Sequence, residues 1–92
     1  MNITYDAAKR TSNIAKHGID FADCDAVFDG SMLTTEDARC AYGKQRMRSL
    51  GWLAGRVVML VWTARGDDCA HLISCRFATK HETRTYLQEA LA

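Results

Sequence analysis

Polar and apolar positions change period several times along the chain. Ile3 and Tyr5 alternate with Asn2 and Thr4, the two-residue period of a strand, and Asp6 stands where a helix N-cap would. The spacing predicts a short first strand and then a helix from about Ala7 to His17. Gly18 supplies the left-handed residue that ends such a helix. Asp20 can cap a second helix, because Phe21, Cys24, Val27 and Phe28 follow the i, i+3, i+6, i+7 spacing of a buried stripe. Asp29 and Gly30 then turn the chain.

Beyond Gly30 the pattern is that of strands. A short strand is expected over 32–35, a polar loop over 36–43 and a longer strand over 45–53. In the longer strand Arg46, Arg48, Leu50 and Trp52 share one face, and Met47, Ser49, Gly51 and Leu53 share the other. Ala54 and Gly55 fit a tight hairpin, and the nearly all-apolar stretch after it reads as a central strand covered on both faces. Cys69 to Phe77 reads as the last strand. In strict alternation, Ser74 and Arg76 share a face with Ala70 and Leu72, and His71, Ile73, Cys75 and Phe77 point the other way. Thr79 and Glu82 fit a capping box that opens a terminal helix with Tyr86, Leu87, Ala90 and Leu91 on its apolar face. The order β-α-α-β-β-β-β-α defines an α+β fold, a small antiparallel sheet with helices packed against it.

Ninety-two residues form one domain, 1–92, and 48% hydrophobic with 25% charged residues is ordinary globular composition. The net charge of +1 hides a division: residues 19–43 carry six acids and one base, and residues 44–66 carry five bases and no acid. Such a division suits a polyanion on one side, although the overall basicity of most nucleic-acid binders is missing. Cys24, Cys40, Cys69 and Cys75 form no C-x-x-C pair and have no spaced histidine partners, so free thiols in a reducing cytoplasm are expected, with no metal and no cofactor. No basic start with a long apolar run opens the chain, and the longest apolar stretch, 57–62, is too short to span a bilayer, so no membrane partner is expected.

Two groups of residues could bind an anion. Asn13, Lys16 and His17 lie within about one turn at the C-terminal end of the first helix, where their side chains can reach one phosphate together; the bland alternative is that Lys16 and His17 only cap the last carbonyls. Arg76 ends a strand just before Thr79 and Lys80 at a helix start, where guanidinium, ammonium and free backbone amides would converge. The bland alternative there is an ion pair between Arg76 and Glu82. Arg46 and Arg48 either cover the Trp52 indole or face phosphates. His71 reads as a half-buried packing residue on the face opposite Arg76, and His81 lies inside the capping box. No G-x-S-x-G, H-E-x-x-H or Walker loop occurs, which leaves metal-free acid–base chemistry.

The ordered set Tyr5-Asp6 with Lys9, Asn13-x-x-Lys16-His17-Gly18, Phe21, Val27-Phe28-Asp29, Glu36-Asp37, Tyr42-Gly43 and Arg46 resembles the BrnT family of type II toxins. So do Thr63-x-Arg65 and Ile73-Ser74-Cys75-Arg76-x-Ala78-Thr79-x-x-Glu82-x-x-x-Tyr86. Ile3, Tyr5 and Cys75 depart from the residues usual there. The resemblance implies a RelE-like ribonuclease fold and a toxin that cuts RNA and arrests translation. It also implies a BrnA-like antitoxin with a ribbon-helix-helix region as partner, and operator DNA contacted only through that antitoxin. On this basis His17 and Lys16 are expected to exchange protons, Arg76 to hold the phosphorane with Lys80 and Arg65 assisting, and Lys9, Asn13, Arg46, Arg48 and Arg65 to contact RNA. The rival expectation is a noncatalytic, degenerate toxin that only binds an antitoxin and tunes its DNA affinity.

Overall fold

The computed structural model describes residues 1–37 and 45–90. Cys40, Tyr42, Gly43, Lys44 and Leu91 lie outside the described residues, as does most of the loop expected over 36–43. The elements are β1 (Asn2–Thr4), α1 (Ala7–His17), a 3-10 turn (Phe21–Asp23), α2 (Asp25–Asp29), β2 (Leu33–Asp37), β3 (Arg46–Leu53), β4 (Arg56–Ala64), β5 (Cys69–Phe77) and α3 (Lys80–Glu89).

Local chemistry sets most of these bounds. The Asp6 carboxylate accepts from the amides of Ala8 and Lys9 at the start of α1, and Gly18, at φ 71°, closes it by donating to the Ile14 carbonyl. Thr79 and Glu82 form the expected capping box at the start of α3. Ala54 and Gly55 both take positive φ, 48° and 85°, which a two-residue hairpin needs if its twist is to match the strands. The predicted second helix is broken in two. Asp20 accepts from the Ala22 amide and starts a single 3-10 turn, and α2 follows as a five-residue helix. The stripe survives the break: Phe21, Cys24 and Val27 are fully buried, and Phe28 meets Trp62 edge-on with ring centres 5.3 Å apart.

The five strands form one sheet in the order β1-β5-β4-β3-β2. From β2 to β5 it is the expected antiparallel meander, but β1 joins β5 in parallel, so the sheet is mixed rather than antiparallel throughout. No hairpin constrains that pair, because nearly the whole chain lies between its strands, so β1 is free to dock in either direction.

Helices cover both faces. On one, Ile19, Phe21, Cys24 and Val27 pack against Val58, Leu60, Trp62, Ala70, Leu72 and Cys75. On the other, Tyr86 of α3 packs against Leu50, Val57 and Met59. Tyr86 also donates its hydroxyl to the Ser31 carbonyl at 2.8 Å. Leu87, expected on the apolar face of α3, is 46% exposed. Gly51 lets α2 lie close on β3, since a Cβ there would stand 2.5 Å from Val27 Cγ1. The buried Ser49 hydroxyl accepts from Trp62 Nε1 at 2.9 Å and pairs with Thr34 Oγ1 at 2.8 Å, which ties β2, β3 and β4 together. Among the described residues no helix is long and apolar enough to cross a membrane.

One irregularity re-aims a whole strand. Val61 faces Ser74, but Trp62 faces Leu72, so Ile73 is an extra residue in β5. A bulge of one residue reverses the alternation beyond it. Ala70, Leu72 and Cys75 therefore all belong to one core, and Arg76, in register with Met59, falls on the α3 side. His71, between Ala70 and Leu72, falls on that side as well. The strict alternation read from the sequence placed Arg76 with Leu72 and opposite His71; the bulge corrects both positions.

Candidate active site

α1 contributes little apolar surface to the core. Its one buried residue is Asn13, and Ile14 is 41% exposed. Polar bonds hold the helix instead. β1 pairs with β5 only as far as His71, so the outer edge of β5 beyond that point needs another partner. The Asn13 side chain supplies it: Oδ1 accepts from the Cys75 amide at 3.0 Å, and Nδ2 donates to the Cys75 and Ile19 carbonyls at 2.9 Å each. One amide side chain thus stands in for a strand residue. Arg10 adds a two-bond pair to Asp20 at 2.8 Å, and the Arg10 guanidinium with the Ala22 amide holds the Asp20 carboxyl down at about 2.

This docking creates a cleft of about 220 Å³ between α1 and the bulge of β5, lined by Lys9, Ser12, Asn13, Lys16, His17, Ile73 and Ser74. Residues 9, 12, 13, 16 and 17 share one helical face by the three- and four-residue spacing. Two ammonium groups, an imidazole and two hydroxyls converge, and among the described residues no acid lines the cleft. Lys9, expected to contact RNA, is therefore brought together with Lys16 and His17, expected to exchange protons. Asn13 lies at the cleft floor, but its amide is committed to the fold.

The second expected group is arranged otherwise. Arg76 is clamped by Glu82, Nη1 to Oε1 at 2.8 Å and Nη2 to Oε2 at 3.0 Å, with a further bond from Nη1 to the Phe77 carbonyl at 3.2 Å. Glu82 also accepts from the Thr79 amide, and the Glu82 amide donates to Thr79 Oγ1. The guanidinium and the Thr79 amide expected to bind an outside anion are thus already engaged by the chain's own carboxylate, and the Glu82 amide by the Thr79 hydroxyl. Arg76 does not line the cleft, although it lies two residues from Ser74 on the same face of the sheet. Lys80 faces a separate groove beside α3. Arg65, in the turn before β5, donates its amide to the Cys69 carbonyl at the start of that strand, seven residues and ~23 Å from Arg76 at the usual rise, so the structure does not bring it to Arg76's side.

The sheet face beyond α3 presents Arg46, Arg48, Val61, Thr63, His71 and Ser74, all exposed or half-buried. His71 Nδ1 lies 2.9 Å from Thr4 Oγ1. Sequence reasoning placed Ser74 with Arg76 but missed that His71 shares their face and that Ser74 lines the α1 cleft, because the side of His71 depends on the bulge at Ile73, which no residue pattern announces. Thiol chemistry finds no support here: hydrogen bonding to Cys24 and burial push the Cys75 thiol up, and a buried, protonated thiol is a poor nucleophile.

The Arg76–Glu82 pair leaves a signature in acid. The Arg76 guanidinium, reinforced by the Thr79 amide and hydroxyl, holds the Glu82 carboxyl at about 2. A carboxylate whose pKa is lower in the folded state adds stability above the ordinary carboxylate range, and that stability is lost as pH falls. Urea unfolding followed from about pH 5 to about pH 2 is expected to show falling stability, with a shallower fall in Arg76→Met. The part that remains in the variant belongs to Asp20, which titrates in the same window, and to the Thr79 bonds that still lower Glu82.

This five-stranded α+β fold has a counterpart among solved structures, the Brucella abortus ribonuclease toxin, BrnT. That match has a TM-score of 0.72 and 30% sequence identity, over 87% of this chain and 99% of that one. No curated protein sequence matches significantly. The profile of the family described as "Ribonuclease toxin, BrnT, of type II toxin-antitoxin system" matches residues 5–82, and the chain belongs to this family. The resemblance read from the sequence is thereby borne out, as is the α+β class.

Proposed function

We propose that this chain is the cytoplasmic toxin of a type II toxin–antitoxin pair and cuts RNA by a metal-independent transesterification in the α1/β5 cleft. The observation that carries the reading is the convergence of Lys9, Lys16 and His17 on Ser74 with no acid among the lining residues. In the proposed reaction His17 takes the proton of a ribose 2′-hydroxyl. The 2′-oxygen bonds to the adjacent phosphorus, the P–O5′ bond breaks, and the Lys16 ammonium delivers a proton to the departing 5′-oxygen. The products are a 2′,3′-cyclic phosphate and a 5′-hydroxyl. Lys9 and Arg76 oppose the charge of the phosphorane, the largest electrostatic demand of such a step. Arg46 and Arg48 on the open sheet face, and Arg65 at its far end, contact the phosphates of the strand. Lys80 acts from the neighbouring groove rather than on the reacting phosphorus.

The partner in this reading is an antitoxin with a ribbon-helix-helix region, and operator DNA is reached only through it. The test is incubation of the purified chain with RNA in excess EDTA. Cleavage with cyclic-phosphate ends is the expected result. A folded chain that binds the antitoxin but leaves RNA intact would establish the noncatalytic alternative instead.

A further inference from the structure

A second cationic feature lies outside the cleft. Where β4 begins and β5 ends, an open groove of about 490 Å³ is lined by Arg56, Ala78, Lys80, Thr83, Arg84, Leu87 and Gln88. Three exposed cations from two elements line it, and among the described residues no acid does. Lys80 and Arg84 are one turn apart on α3 and so stand side by side. Arg56 comes from β4, with its guanidinium 3.6 Å above the centre of the Phe77 ring. That stacking holds a flexible side chain in place, which lowers the ordering cost of binding through it. Glu82 is turned to Arg76 and the helix cap, so Lys80 and Arg84 have no acid partner within the groove among the described residues; Arg56, whose guanidinium stacks on Phe77, stands at its rim and also borders a second groove that Asp20 and Asp23 line.

The groove also stands in a defined relation to the cleft. Ser74 lines the cleft and Ala78 lines the groove, four residues further along the same segment, about 13 Å at the usual strand rise. Arg76 lies between them. A single extended strand of phosphates can therefore pass from one to the other along the end of β5. Thr83 and Gln88 offer polar contacts, and Leu87, 46% exposed, offers an apolar surface for a sugar or base.

We infer that Arg56, Lys80 and Arg84 form a second phosphate-binding subsite, which grips the RNA strand a few nucleotides from the phosphate cleaved in the α1/β5 cleft. The inference rests on the ribonuclease reading above. The subsite binds without reacting: its cations are electrostatic contacts to the sugar–phosphate backbone and carry no base selectivity. It adds affinity to the ground state and the transition state alike, which lowers KM and leaves kcat alone.

The test compares wild type with Arg84→Gln and with Arg56→Gln/Arg84→Gln, all in the presence of the intact fold as judged by thermal melting. Binding of a fluorescein-labelled, 2′-O-methylated single-stranded oligoribonucleotide is read by anisotropy over a range of salt, and cleavage of the unmodified strand by kcat and KM. For the double variant, affinity is expected to fall on the order of tenfold, with the salt slope reduced by about 1.4 for two lost contacts on a single strand. KM is expected to rise in step while kcat holds. Arg84→Gln, which leaves the Arg56–Phe77 stack untouched, should show about half the change in slope. An unchanged slope and KM in variants of an enzyme that still cuts RNA would overturn the subsite and leave the ribonuclease reading standing. Weakened antitoxin binding with RNA affinity intact would overturn it too, and would make the groove a docking surface for an acidic protein segment. A wild-type chain that neither binds nor cuts RNA would remove the reading and the subsite together.

Discussion

Replacing Asn13 by alanine is expected to lower the unfolding free energy by about 3 kcal/mol, a large share of what a domain of this size has to lose. The side chain is 5% exposed and makes three bonds, so its removal orphans the Cys75 amide, the Cys75 carbonyl and the Ile19 carbonyl inside the protein. Each unmet buried group carries a desolvation cost of about 1–3 kcal/mol, and part of the total is recovered if water enters the vacated space. Asn13→Asp should be worse than alanine. It keeps an acceptor for the Cys75 amide but sets a carboxylate against two carbonyl oxygens in a buried site. Urea titration at neutral pH checks the order wild type, alanine, aspartate. Equal stability of all three would mean that α1 does not depend on this bond for its docking. Since Asn13 also fixes α1 against the bulge, activity should fall in the same order, through lost placement of Lys16 and His17.

His17→Ala is expected to act the other way, on rate and not on stability. In the proposed reaction the imidazole removes the 2′-hydroxyl proton, and loss of a positioned general base typically slows such a step by about 10²–10⁴-fold. His17 is half-buried in the last turn of α1, and Gly18, not His17, closes the helix by its amide. The melting temperature should therefore move little. The measurements are single-turnover cleavage of a defined RNA across pH, with the melting temperature taken alongside. His17→Ala should lose the limb of the pH–rate profile set by the base, and His17→Gln, which keeps a hydrogen-bonding group of similar size, should not restore it. Full cleavage by His17→Ala would return the proton transfer to another group, and full activity of His17→Gln would reduce the residue to a positioning role.

The comparison of these two residues shows how differently parts of the site can be read. Lys9, Asn13, Lys16 and His17 lie at four-residue and three-residue steps on one helix, so their shared face follows from the helical repeat once the caps at Asp6 and Gly18 are recognised. That Asn13 is a structural tie and its three neighbours are free to meet a ligand does not follow. It depends on β1 ending at its pairing with His71, a pairing made across most of the chain. Arg76 shows the same limit. Its ion pair with Glu82 was one of two readings that local spacing allowed, and the choice was made when the bulge turned Arg76 toward α3.

The residue pattern by itself determined the caps of α1 and α3, the bounds of β4 and β5, the antiparallel meander and the buried stripe from Phe21 to Val27, because each depends on contacts between near neighbours or on a repeat of fixed period. Tertiary structure alone decided the parallel docking of β1, the extra residue at Ile73 and the side on which His71, Ser74 and Arg76 emerge. These are set by the packing of distant segments, and a slip of one residue in register, invisible in the sequence, reverses every side chain that follows it.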